Sequence, residues 1–243
     1  MLTEQRKDEI AGNIMKIREN IEKAREVRQS EVGTPNENNI ILLAATKTRT
    51  PEEINYLAEC GVTYIGENRV QELLDKYDAL DRDKFKLHFI GALQTNKVKY
   101  IIDKVDMIES VDRIELAAEI DRRAKQKNLV MDILAEVNIG GEESKSGVRP
   151  EDAEEFVTNL TKFTSIRVCG LMTIPPVCED INIQKQYFKK IIQIFIDISV
   201  KNKDNVNMRY ASFGMTGDYA AAVECGSNIV RIGTGIFGKR EYK

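Results

Sequence analysis

The sequence contains no tryptophan, a single histidine (His88), four cysteines and no long apolar run. The missing tryptophan decides nothing, but each of the other shortages closes off a class of protein. No stretch approaches the roughly 18 apolar residues of a membrane span. The first twenty residues, MLTEQRKDEIAGNIMKIREN, mix acids and bases from residue 4 onward and lack the apolar region of a secretory signal. Cys60, Cys169, Cys178 and Cys225 are scattered with no CxxC pair, which predicts reduced thiols in a cytoplasmic protein. One histidine rules out a multi-histidine metal site and weakens any Cys/His zinc site, so no metal is expected. A dominant charge is lacking too. The 36 Lys+Arg face 39 Asp+Glu for a net charge of −3, unlike the strongly basic surface of a dedicated nucleic-acid binder. No repeat, low-complexity tract or Gly/Ser linker divides the chain, and the polar stretch 33–39 (GTPNENN) is its only obvious connector.

What is present reads as a globular chain. Hydrophobic residues make up 42% and charged residues 31%, which excludes a mostly disordered protein. A chain of 243 residues can bury roughly 70% of its surface, enough for one large domain or two small ones. Before the connector, Ile10, Ile14, Ile17, Ile21 and Ala24 recur at helical spacing, predicting an amphipathic helix within 1–32.

After it come eight short apolar runs, at 40–45, 62–65, 86–90, 105–111, 130–139, 165–174, 207–213 and 229–232. Near-continuous apolarity without clean alternation marks strands covered on both faces, as in parallel sheets. Helical patterns separate them at 51–59, 68–80, 95–103, 112–126, 151–163, 181–200 and 217–225. Thr50 before Pro51 suits a helix start, and Gly226 a helix stop. Eight strands alternating with helices predict an α/β fold, a single (β/α)8 TIM barrel over 40–238 with an extra N-terminal helix. The alternative, an open doubly wound sheet, lacks its glycine-rich first turn here, because the first strand ends in ATKTRT.

A barrel places its ligand site at the carboxyl ends of its strands. Lys47 follows the first strand directly. Its desolvation lowers the cost of a neutral amine, which can attack an aldehyde to form a Schiff base. A lysine whose ammonium snorkels out of the mouth is the competing reading. GMTG (214–217) and GTG (233–235) follow strands seven and eight, where barrel enzymes often bind phosphate. Alternatively, Thr216 is a helix N-cap and the glycines are tight turns. Asp218 would oppose a phosphate unless it points away. Period-two alternation turns Arg231 into the barrel, between outward Val230 and Ile232. Its partner there is either a structural carboxylate or the ring nitrogen or phosphate of a cofactor. Together, lysine, phosphate loops and arginine describe a pyridoxal 5′-phosphate site.

The segments LLAATKTRTPEEI (42–54), IGENRVQEL (65–73), HFIGALQTNKVKYI (88–101), VNIGGEESKSGV (137–148), GLMTIPP (170–176) and FGMTGDYAAAVECGSNIVRIGTGIFG (213–238) resemble the YggS/PROSC family of pyridoxal phosphate homeostasis proteins. The resemblance runs from about residue 7 to residue 240. It implies one barrel unit of the alanine racemase N-terminal type over 1–243. It also implies that Lys47 carries the cofactor as an aldimine, that Arg231, Gly233 and Thr234 match the family's arginine and the phosphate-binding end of strand eight, and that Asn68 and Met215 line the cofactor. Thr216 stands where the family usually has serine and keeps the hydroxyl. Lys145, in EESKSG, matches a second lysine that reacts with the cofactor in relatives. His88 matches a motif position and is read as a structural residue.

The implied function is intracellular vitamin B6 homeostasis: holding the cofactor and delivering it to enzymes that require it, as a monomer, without catalysis of its own. The competing functions are a pyridoxal phosphate-dependent amino-acid racemase and an unrelated phosphate-binding barrel enzyme. Racemisation needs a second base opposite Lys47. The related racemases supply it as a tyrosine from a further domain, and the chain's end at Lys243 leads us to expect none here. Nothing in the sequence places Tyr64, Tyr210 or Tyr219 in that role.

Overall fold

In a computed structural model, eight parallel strands close into a barrel in strict sequence order. The structure describes residues 2–31, 40–142, 144–201 and 203–239, so the connector 33–39 lies outside the described residues. The strands are β1 (Ile41–Ala45), β2 (Tyr64–Glu67), β3 (Lys86–Phe89), β4 (Met107–Val111), β5 (Met131–Glu136), β6 (Ile166–Met172), β7 (Val206–Ser212) and β8 (Ile229–Ile232). The helices are α1 (Glu4–Glu31), α2 (Pro51–Glu59), α3 (Val70–Tyr77), α4 (Val98–Ile101), α5 (Ile114–Gln126), α6 (Ala153–Leu160), α7 (Ile181–Ser199), α8 (Tyr219–Glu224) and α9 (Thr234–Phe237). The α/β barrel expectation holds, with the extra helix in front.

Alternation sorts the strand residues into two environments. Ile41, Leu43, Ala45, Ile90 and Ile229 cluster inside the barrel with Tyr64 and Tyr210. Leu42, Ala44, Val230 and Ile232 instead join the larger core between strands and helices. β1 and β8 close the ring with Leu43 beside Arg231, which places Arg231 on the inner face as its apolar neighbours predict.

Element boundaries differ from the sequence reading where local chemistry intervenes. β2 begins at Tyr64 rather than at 62, because Val62 N–H still donates to Leu57 O at the end of α2. It continues through Gly66 and Glu67. A Cβ at Gly66 would lie 2.5 Å from Leu43 Cδ2 and 2.9 Å from Ile90 Cδ1, so any larger residue there would displace those side chains inside the barrel. The expected helix at 95–103 divides into a 3-10 turn, Thr95–Lys97, and the short α4. Thr50 caps α2 as expected, and Glu53 completes a capping box by accepting from Thr50 N–H. Gly226 follows α8 with φ of 114°.

α1 is the structural addition to the barrel. Ile10, Ile14, Ile17 and Ile21 are all buried, contributing on the order of 8 kcal/mol of transfer free energy before ordering costs. Polar clamps fix its register on the β8 side. Arg6 Nη2 donates to Phe237 O (2.8 Å), Asn13 Nδ2 to Ile236 O (2.9 Å) and the buried Arg28 to Ser227 O (2.9 Å). No helix among the described residues is long and apolar enough to cross a membrane.

Candidate functional site

Lys47 lies two residues beyond the inward-facing Ala45, half-buried at the carboxyl end of β1. It is the second residue of a four-residue turn, 46–49, closed by Arg49 N–H donating to Thr46 O (3.0 Å). The third residue, Thr48, has φ of 65°. A type II turn requires positive φ at that position and favours glycine there. A β-branched residue in this region carries strain of about 1–3 kcal/mol, which the surroundings must hold in place. Thr48 N–H donates to Glu72 Oε2 (3.0 Å), and Thr46 N–H to Gly66 O (3.0 Å) on β2.

The loops after β7 and β8 meet at one hydroxyl. Thr216 Oγ1 accepts from Gly235 N–H (3.0 Å) and from Thr234 Oγ1 (3.1 Å). Gly214 has φ of 96°, a left-handed conformation that glycine adopts without penalty, and this starts the loop toward Thr216. Gly235 must be small, since a Cβ there would come 2.8 Å from Ile232 Cγ2 and 3.2 Å from Thr216 Cγ2. Thr216 therefore links two loops and is not the N-cap of α8, whose cap position is Asp218. Asp218 turns back into its own loop and accepts from Met215 N–H at 2.6 Å. Burial pushes its carboxyl above the usual carboxylate range against that bond. A Cβ on Gly233 would lie 3.3 Å from Ala45 O, so the glycine-loop end of β8 adjoins the Lys47 end of β1.

Inside the barrel, Arg231 finds its partners within the protein. Its Nη1 donates to Ser212 O (2.8 Å) and Ser212 Oγ (2.6 Å), and its Nη2 to Thr173 O (3.0 Å). Glu109 Oε2 stands 3.9 Å from Nη1 and accepts from Ser212 Oγ (2.6 Å), while Glu109 Oε1 is 2.6 Å from His88 Nδ1. Of the two readings of Arg231, the structural carboxylate is present. Three of the guanidinium's five N–H groups have these partners, which leaves donor capacity. Burial would raise the Glu109 carboxyl, but His88, Arg231 and Ser212 outweigh it and hold it below the usual range. Burial, with the Asp112 charge, pushes Glu136 up to about 7.

The structure thus brings Lys47, Gly233, Thr234, Thr216, Met215 and Arg231 to the closing seam of the barrel. Asn68 follows β2, next along the rim. Lys145 is apart from them, exposed on the loop after β5, four strands from β1. Glu109, which sequence reasoning missed, lies in mid-strand in the buried run MIESV. An ionisable residue inside an apolar strand was the available signal, and Glu136 in β5 carries the same one. Nothing comparable marked Lys76 on α3, which reaches the Lys47 turn from outside the barrel.

Pyridoxal phosphate, the ligand implied by the resemblance, presents an aldehyde, a phosphate and a ring nitrogen. The residues fit it. Lys47 is an amine at the mouth, two hydroxyls and a tight glycine line the joined loops, and Arg231 has spare donors. In addition, the Asn68 Oδ1 atom is buried without a hydrogen-bond partner.

Residues 37–241 match the family described as alanine racemase, N-terminal domain. A pyridoxal phosphate homeostasis protein of Aquifex aeolicus (strain VF5) is 47% identical over 206 residues, covering 85% of this chain and 90% of that one. A crystal structure of a protein from Bifidobacterium adolescentis superposes with a TM-score of 0.90 at 36% identity, covering 98% of both chains. PipY of Synechococcus elongatus PCC7942, solved with pyridoxal phosphate bound, gives 0.79 at 25% identity over 94% of this chain and 100% of that one.

Proposed function

Because the chain belongs to the alanine racemase N-terminal domain family, among relatives called pyridoxal phosphate homeostasis proteins, we propose that it binds pyridoxal 5′-phosphate through Lys47 and serves its homeostasis and delivery. The observation that carries this reading is the seam itself. Thr216 ties the two glycine loops together beside the strand that delivers Lys47.

When bound, the cofactor supplies an aldehyde that captures amines and a ring that withdraws electrons. Lys47 Nζ takes the place of the aldehyde oxygen, which leaves as water, and water or a competing amine reverses the step. Such a bond retains the cofactor yet releases it. Thr216 and Thr234 offer hydroxyls to the phosphate, with Gly233 giving close backbone approach. Met215 and Asn68 flank the ring. Arg231 keeps a cation near the ring nitrogen, which disfavours protonation there and weakens electron withdrawal. That weakening supports a carrier over a catalyst. Tyr219 accepts from Asn20 of α1, and Tyr64 packs edge-on against His88, which supports the same reading.

The rest of the proposal is that the whole chain, 1–243, is one binding unit, acting as a monomer in the cytoplasm and handing the cofactor to apo-enzymes that require it. None of the four cysteines is in a disulfide, as a reducing compartment favours. The test is spectroscopic. The purified protein should show the visible band of a lysine-bound cofactor, and borohydride should fix the cofactor's mass on Lys47. A Lys47→Ala protein that keeps a normal spectrum overturns the assignment. Loss of optical activity of an amino acid at an enzyme-like rate, abolished in that variant, would establish the racemase instead.

A further inference from the structure

Lys76 lies on α3, on the helix side of the barrel wall, and its ammonium is buried. Nζ donates to Thr46 O (3.0 Å), to Arg49 O (3.4 Å) and to Glu67 Oε1 (2.7 Å). Those two carbonyls belong to the first and last residues of the turn that carries Lys47. Glu67 Oε1 also accepts from Thr46 Oγ1, and Glu67 is anchored in β2, where its carbonyl accepts from Ile90 N–H (2.9 Å). An ammonium has three donors, and here all three are used. The turn they grip holds Thr48 in a left-handed conformation that a β-branched residue leaves readily when unsupported.

We propose that Lys76 is a positioning residue that fixes the 46–49 turn, and with it Lys47, for cofactor capture. The inference rests on the reading of Lys47 given above. It separates the roles of two lysines only 29 positions apart in sequence: Lys47 is the capturing amine, while Lys76 is withheld from the aldehyde because capture would cost it three hydrogen bonds and an ion pair. Glu67 orients Lys76 in turn, and Thr46 joins the two to the turn.

The experiment compares wild type with Lys76→Met, which keeps the stem and removes the donors, and with Lys76→Gln, which keeps one amide donor group. Amide exchange of the apo-protein is read first. The Arg49 N–H should exchange about tenfold faster or more in Lys76→Met, with β5 and β6 amides unchanged. Pyridoxal phosphate is then added at a temperature where circular dichroism shows all three proteins folded. Loading of Lys76→Met should be about tenfold slower and weaker, with the borohydride tag still on Lys47, and Lys76→Gln should fall between. A purely structural ion pair would lower stability while leaving loading and Arg49 exchange of the folded protein unchanged, and that result overturns the proposal. So does a wild-type tag on Lys76. If Lys76→Met does not fold, Lys76→Gln and wild type decide by the same criteria. If wild type takes up no cofactor, the reading of Lys47 fails, while apo-protein exchange still tests the brace.

Discussion

Arg231 and Thr216 sit on adjacent strand–loop units, β8 and the end of β7, and both are proposed to face one ligand. Arg231 is buried, and its guanidinium is held by Ser212, Thr173 and Glu109. Thr216 is exposed, and among the described residues its hydroxyl bonds within the two glycine loops. The difference lies in what replaces a lost partner. Water can take over a contact at the rim, so a rim residue is free to be specialised for ligand. In the interior a lost partner leaves a stranded charge, so the same kind of polar contact becomes part of the fold's stability. Interior substitutions should therefore change stability and its pH dependence, and rim substitutions should change affinity alone.

The largest effect is expected at Glu109. Glu109→Ala removes the acceptor shared by His88 and Ser212 and the charge opposite Arg231. Breaking a buried pair from one side costs about 3–5 kcal/mol, or a fall in Tm of about 10 °C for a chain of this size. The double variant Glu109→Leu with Arg231→Met should recover most of that loss, since replacing both charges with apolar groups is often neutral. Thermal unfolding of the apo-protein measures both. A single variant within 1 °C of wild type would remove the interior half of the comparison.

Glu136 gives the next effect, and it acts through pH. Its carboxylate makes no hydrogen bond among the described residues, and burial and Asp112 raise its pKa from 4.5 to about 7. Below pH 4.5 the group is protonated both folded and unfolded, and it costs nothing. Between 4.5 and 7 the folded state holds a proton that the unfolded state has released, so stability falls as pH rises. The loss is complete above 7 and amounts to on the order of 3 kcal/mol. Glu136→Gln should remove it, so that urea midpoints at pH 5 and pH 8 draw together. An undiminished gap between those midpoints would assign the pH dependence to other groups.

The same contrast between interior and rim explains how much was legible in the sequence. Hydrophobic period sets strand count and facing, so the barrel, α1 and the inward turn of Arg231 could be read from apolar positions alone. Glycine and hydroxyl pairs at two strand ends marked the loops proposed to take the phosphate, because a rim loop is built from neighbours in sequence. The interior network was not legible in that way. Arg231 meets Glu109, 122 positions away, and Lys76 meets Thr46 from another layer of the fold. Such pairings depend on which strands and helices become neighbours, and no local pattern encodes them. The alternative of Thr216 as a helix N-cap fails for a related reason, since its partners lie across the seam in the next loop and not in the helix that follows it.

The smallest stability effect, and the sharpest test of the rim, is at Thr216. Thr216→Val keeps shape and removes the oxygen that accepts from Gly235 and Thr234. Water can satisfy both donors, so unfolding should shift by less than about 1 kcal/mol. Affinity for pyridoxal phosphate should nevertheless fall about tenfold, because a phosphate loses one hydroxyl and the alignment of two loops. Pyridoxal, which carries the same aldehyde without the phosphate, separates the causes. If Thr216 acts on the phosphate, wild type and Thr216→Val bind pyridoxal equally, and Thr216→Ser binds both ligands like wild type. Equal weakening toward pyridoxal would mean that Thr216 holds the mouth of the barrel as a whole, and the division between a stabilising interior and a ligand-facing rim would not stand.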